Sequence, residues 1–182
     1  MKKINSAFIE KWEKEYDVSD ELKYQDILKK VKTNLEKING ISLTIFEMLY
    51  KWKTRGRSYN KVIVDRYEDI YNENIKISIR LPDDKKIYIL DGMPGVRIAV
   101  ASTILHFIYP NQFPIIDVNT IKALKELGYY EPIEKIEKLR DSPEAYNKYR
   151  KKILKIQKSL DGDWTLHQID KALFSFGKQF KI

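Results

Sequence analysis

Apolar residues recur along this chain at helical spacing rather than in alternation. Phe8, Trp12 and Tyr16 fall four apart, as residues on one helix face do. Behind Ser19 as a cap, Tyr24, Ile27, Leu28, Val31, Leu35 and Ile38 form a stripe. Asn39-Gly40 is a familiar stop, because glycine takes the left-handed conformation that ends a helix. Ser42 to Trp52 is apolar almost all round, which predicts a buried helix. Tyr59 to about Arg80 predicts a longer helix with Val62, Ile63, Tyr67 and Ile70 inward. Its end, Ile75 to Arg80, alternates as a short strand would, but no partner strand is evident and helix is preferred.

Pro82 breaks the pattern, and a short helix is expected up to Leu90. Gly92 to Arg97 reads as a tight turn, and Ile98 to Phe107 as a helix rich in small residues. After a loop with two prolines, Val118 to Leu127 predicts a helix that Gly128 stops. Ser142-Pro143 carries the cap-then-proline signature of another start. There Tyr146, Tyr149, Ile153, Ile156 and Leu160 keep a three-four spacing. Asp161-Gly162-Asp163 is a turn, and Leu166, Ile169, Leu173, Phe176 and Phe180 mark a last helix. The predicted class is all-α.

Composition narrows the chemistry. With 182 residues, 43% hydrophobic and 33% charged, the chain can bury a core as one domain or two small lobes. Its formal net charge of +8 suits a polyanionic partner, DNA or RNA being the commonest. There is no cysteine, which excludes disulfides, cysteine nucleophiles and cysteine-held zinc or iron–sulfur clusters. The start lacks the apolar run of a secretion signal and no stretch is long enough to span a membrane. A cytoplasmic protein with no membrane partner is expected, and no protein partner is evident. His106 and His167 have no neighbours at metal-ligand spacing, so both are expected to be structural and no metal centre is predicted.

The informative stretch runs from Leu90 to Ser102, where Gly92-Met93-Pro94-Gly95-Val96-Arg97 joins two short helices. Gly95 permits the turn's backbone angles and lets another backbone come close. The helix that follows begins with N–H groups and a positive dipole end, able to hold a phosphate without reading a base. The same residues also fit an ordinary turn between core helices.

This hairpin resembles the Leu-Pro-Gly-Val-Gly element of the helix-hairpin-helix DNA glycosylase superfamily, which includes endonuclease III and the adenine and alkylpurine glycosylases. In that family an aspartate opens the helix after next, followed by Leu-Gly. Aligning Pro94-Gly95 on the family's Pro-Gly places Asp117 on that aspartate without a gap, with Leu127-Gly128 beyond it. The resemblance covers about residues 90–128. It implies a two-lobed helical fold with a central helix-hairpin-helix. Residues 20–111 would form one lobe, and residues 1–19 with 112–182 the other, as a single unit with a cleft.

An aspartate just before a helix is also a common N-cap. The two roles are compatible, since a cap fixes the carboxylate at the helix entrance. In the family the aspartate faces the sugar of a flipped base and stabilises the cationic sugar formed as the glycosidic bond breaks. The resemblance therefore implies a base-excision enzyme acting on a damaged or mismatched base in double-stranded DNA, with Asp117 catalytic. Ala99 stands where bifunctional members carry a lysine nucleophile, which implies a monofunctional enzyme without lyase chemistry from that position. Arg97 replaces the second hairpin glycine and offers a phosphate contact.

Gly92, Met93, Pro94, Gly95, Val96, Arg97, Lys122, Arg55 and Arg57 are the candidate DNA-contacting residues, with Trp52 a candidate for the base pocket. Thr54 to Ser58 is expected to be a basic, flexible loop, and Lys125 a further lysine near the backbone. No organic cofactor is implied; hairpins of this family hold a monovalent cation on backbone carbonyls, which Gly92 to Arg97 offer. The alternative is a non-catalytic DNA-binding protein in which Asp117 is only a cap.

Overall fold

The computed structural model of the protein describes residues 4–57, 61–129 and 142–180, apart from the side chains of 61–63. All regular structure among these residues is helical. The helices are α1 (Ser6–Glu13), α2 (Val18–Ile38), α3 (Leu43–Thr54), α4 (Lys61–Arg66) and α5 (Glu68–Arg80). They continue as α6 (Asp83–Asp91), α7 (Ile98–Ile108), α8 (Val118–Glu126), α9 (Pro143–Lys158) and α10 (Leu166–Gly177). Among the described residues, no helix is long and apolar enough to cross a membrane.

The chain divides into two compact units. One comprises Ser19–Tyr109; the other joins Met1–Val18 to Pro110–Ile182.

In the unit of residues 19–109, α7 is the central element. From Val100 to Ile108 every residue is buried, as its apolar composition requires. It packs against α3 and α6. The Tyr24 ring of α2 lies tilted against Phe107 at 4.9 Å, and its hydroxyl meets His106 Nε2 at 2.9 Å. The fully buried His106 is thus satisfied within the core. The C-terminal end of α5 is closed by Lys86 of α6, which is 4% exposed. Its ammonium donates to the carbonyls of Ser78, Ile79 and Leu81. A cation at that end meets both the unpaired carbonyls and the negative pole of the helix.

The segment expected as one helix from Tyr59 to Arg80 is interrupted. Tyr67 leaves the helical region at φ −113° and ψ 22°, and α5 restarts with Glu68 and Asp69 in its first turn. Acidic residues are favoured at that end. The restart rotates the buried face onto Tyr71, Ile75 and Ser78, so Ile70 is left 43% exposed rather than inward. Val62 and Ile63 lie outside the described side chains. Ile38, expected on the α2 stripe, is 50% exposed.

In the other unit, α10 packs against α1 and α8. Phe8 and Trp12 of α1 meet Phe176 edge-on at 5.3 and 5.1 Å, a favoured geometry for aromatic pairs. His167 is buried and lies edge-on to Tyr16. Helix α9 turns Tyr146, Tyr149, Ile153 and Ile156 into the core.

Candidate functional site

The hairpin between α6 and α7 is a defined turn. Val96 N–H donates to Met93 O at 3.0 Å, and Gly95 has φ +73°. Proline second and a positive-φ glycine third make a type II β-turn. The glycine is needed for that angle and not for space, contrary to the close backbone approach expected of it. A Cβ there would find only the Tyr50 hydroxyl, at 3.7 Å.

Two tyrosines hold the turn from the same unit. Tyr50 of α3 donates its hydroxyl to Gly95 O at 2.8 Å, and Tyr71 of α5 donates to Pro94 O at 2.7 Å. Burial, followed by the neighbouring Tyr50 and Tyr67, raises the pKa of the Tyr71 phenol and keeps it a donor. Met93 and Val96 are 2% and 1% exposed, so their side chains anchor the hairpin and leave surface contact to others. Gly92, Gly95 and Arg97 are exposed.

Arg97 is the N-cap of α7 in extended conformation, with no side-chain cap bond. Its carbonyl accepts from Val100 and Ala101 at 2.9 and 3.0 Å. Asp91, the last residue of α6, reaches across the turn and accepts from the Ile98 backbone N–H. Burial raises the Asp91 pKa, and the opposing pull of Arg97 and of that N–H does not cancel it. Its Oδ1 is buried without a hydrogen-bond partner. One N–H at the head of α7 is therefore already taken by an internal carboxylate. Sequence reading missed Asp91; its signal was an acid directly before the hairpin glycine.

Asp117 is the N-cap of α8, at φ −140° and ψ 158°. Its Oδ1 accepts from Asn119 N–H at 2.8 Å, and the Thr120 hydroxyl reaches back to the Asp117 backbone N–H at 3.0 Å. The Asp117 side chain also accepts from the Thr120 backbone N–H, which with the Thr120 hydroxyl completes a reciprocal capping box. The expected cap is therefore present, and the carboxylate is half-buried.

The non-helical segment leading to Asp117 is gripped by α9. Tyr146 and Tyr149 donate their hydroxyls to Pro114 O and Ile115 O at 2.9 and 2.8 Å. Arg150 donates to Gln112 O at 2.8 Å and lies 4.1 Å over the Phe113 ring. On the other side, Gly177 of α10 lies against the α8 backbone at Asn119. Asp117 is thus fixed by backbone contacts on both flanks. The tyrosines were legible only as core positions, and nothing in their spacing showed that their hydroxyls would serve backbone carbonyls.

The remaining candidates are placed as follows. Thr54 to Arg57 form a closed turn, where a flexible loop was expected. Arg55 takes the left-handed conformation at φ 52°, and Gly56 N–H returns to Lys51 O at 3.0 Å. This satisfies the end of α3. Arg55 lies 3.5 Å from Asp20, and Arg57 is exposed; Ser58 falls outside the described residues. Trp52 packs on Tyr24 and edge-on to Phe107 at 5.5 Å, and it is half-buried. Lys122 donates to Phe180 O at 3.0 Å, so its ammonium serves the chain's own C-terminal turn. Lys125 is exposed.

No group of acidic or histidine residues suited to a metal occurs among the described residues. The carbonyls of Met93, Pro94 and Gly95 accept from Val96, Tyr71 and Tyr50, and each keeps a second lone pair. No known family model, curated protein or solved structure matches the chain.

Proposed function

We propose that the chain binds double-stranded DNA through the α6–α7 hairpin and hydrolyses the N-glycosidic bond of a damaged or mismatched base. The two-lobed glycosylase fold and the helix-hairpin-helix assignment belong to this proposal. One observation carries it: a type II Pro-Gly turn joins two helices, is pinned by Tyr50 and Tyr71, and leaves Gly92, Gly95 and Arg97 at the surface. The exposed glycines of the turn and the Arg97 guanidinium suit a phosphate, while the Ile98 N–H at the head of α7 stays with Asp91.

Asp117 supplies the chemistry in this reading. A carboxylate fixed by its cap and by Tyr146, Tyr149 and Gly177 is preorganised against developing positive charge. No lysine stands at Ala99, so hydrolysis and not Schiff-base chemistry is expected there.

A second reading is favoured by the same cap. Asp117 accepts from the Asn119 N–H, and that role alone accounts for an aspartate at this position. The chain is then a DNA-binding protein without base release. Labelled duplexes carrying uracil, hypoxanthine, oxidised guanine, alkylated adenine or a mismatch separate the two. The first reading expects base release by the parent and none by Asp117→Asn. DNA binding without release from any duplex selects the second, and failure to bind any duplex refutes both.

A further inference from the structure

The outer face of α9 has no part in the hairpin or around Asp117. Its inner face is fully occupied: Tyr146, Tyr149, Ile153 and Ile156 are buried. Opposite them, Lys151, Lys155 and Lys158 are exposed. They fall four and then three residues apart, which places them on one face of a helix. Exposed Lys148 continues the line toward the N-terminus. From Ala145 to Leu160 the sequence contains no acidic residue.

Several lysines on the other helices face an acid, although exposed Lys29, Lys32 and Lys37 of α2 and Lys125 of α8 make no ion pair among the described residues. Lys23 and Lys30 of α2 face Asp20 and Asp26, Lys51 of α3 faces Glu47, and Lys76 of α5 faces Glu73. Those pairs neutralise charge along a solvated surface. On α9, Lys151, Lys155 and Lys158 make no ion pair among the described residues.

We infer that this lysine ridge is a second contact surface for the DNA backbone, separate in residues from the hairpin. Along a helix, Lys151 to Lys158 spans about 10 Å at about 1.5 Å per residue. Duplex DNA carries about one negative charge per 1.7 Å of axis, so a ridge of that length lies beside several phosphates. Three flexible ammonium groups on a rigid rod can each reach one of them. They carry no forked donors for base edges, so the contact positions the duplex without reading sequence. An anionic membrane surface is less suited, since three lysines contribute only about 1 kcal/mol each there and no apolar face is left to add to them. The apolar face of α9 is spent in the core.

The inference rests on the DNA-binding part of the proposed function and is independent of base release. The test uses the full chain, undamaged duplex DNA and vesicles containing phosphatidylserine. Binding is followed by fluorescence anisotropy from 50 to 200 mM KCl. The variants are the triple Lys151→Gln, Lys155→Gln, Lys158→Gln, the matching triple arginine variant, and Arg97→Gln. The glutamine triple should keep the parent's circular dichroism, weaken duplex binding, and lower the salt slope by about 2 to 3, at about 0.9 for each phosphate no longer neutralised. The arginine triple should retain the parent slope. A glutamine triple that binds duplex as the parent does, while Arg97→Gln is weakened, overturns the ridge and leaves the hairpin standing. No duplex binding by the parent defeats the DNA reading and the ridge together. Lysine-dependent binding to vesicles in place of duplex assigns the ridge to a membrane surface and overturns the inference.

Discussion

A Cβ built on Gly177 would lie 1.9 Å from the carbonyl oxygen of Asn119. The last residue of α10 therefore touches the first turn of α8 backbone to backbone. Asn119 is also the residue whose N–H the Asp117 carboxylate accepts. Two opposed effects decide what alanine would do here. In a helix, alanine is favoured over glycine by about 1 kcal/mol. Overpacking against a neighbour that cannot yield costs about 1–3 kcal/mol. The obstacle is main chain, so the cost should win. Gly177→Ala is expected to be destabilised by up to about 2 kcal/mol in urea unfolding, the difference of those two terms. A variant more stable than the parent would show that α8 and α10 do not approach so closely.

That contact illustrates what a sequence conceals. Gly177 has the composition of any glycine near a helix end, and only the neighbour's backbone makes it necessary. The helices themselves were legible, because each buried stripe repeats at helical spacing. The Ser142-Pro143 start, the Asp117 cap and the Gly95 turn were legible too, since each follows from local backbone chemistry. The break at Tyr67 was not, because the apolar spacing runs across it and shifts phase only when α5 restarts. Arg55 in a left-handed cap was hidden for a related reason: Gly56 beside it carried the turn signal, and the strained position fell one residue earlier. Lys122 looked like a surface lysine, and its partner, the Phe180 carbonyl, lies 58 residues away.

Asp91 should give stability near the hairpin a measurable acid dependence. Burial holds its pKa above the ordinary 3.8 despite Arg97 and the Ile98 N–H. The folded chain then binds this proton more tightly than the unfolded chain does. The resulting stabilisation is fully present below the ordinary value and is lost as pH rises through the folded one. Asp91→Asn cannot titrate. The stability of the parent relative to Asp91→Asn should therefore rise as pH falls from 7 toward 4, in paired urea titrations. A relative stability that falls over that range would mean that Arg97 and the Ile98 N–H outweigh burial.

The two tyrosines on the hairpin should act as one device. Tyr50 and Tyr71 donate to adjacent carbonyls of the same turn. Tyr71 also stacks on Phe46 at 4.4 Å, and phenylalanine would keep that packing. Each Tyr→Phe change removes the hydroxyl's bond to the turn, with an expected cost of about 0.5–1.5 kcal/mol. Groups that share one turn are coupled, so the double variant should fall short of the sum of the singles. Once the first carbonyl is released, the turn can shift, and the second bond contributes less. Amide exchange at Val96, whose N–H closes the turn, should quicken in both single variants. Strict additivity, with Val96 exchange unchanged, would mean that Pro94 and Gly95 hold the turn alone and that the tyrosines merely lie beside it.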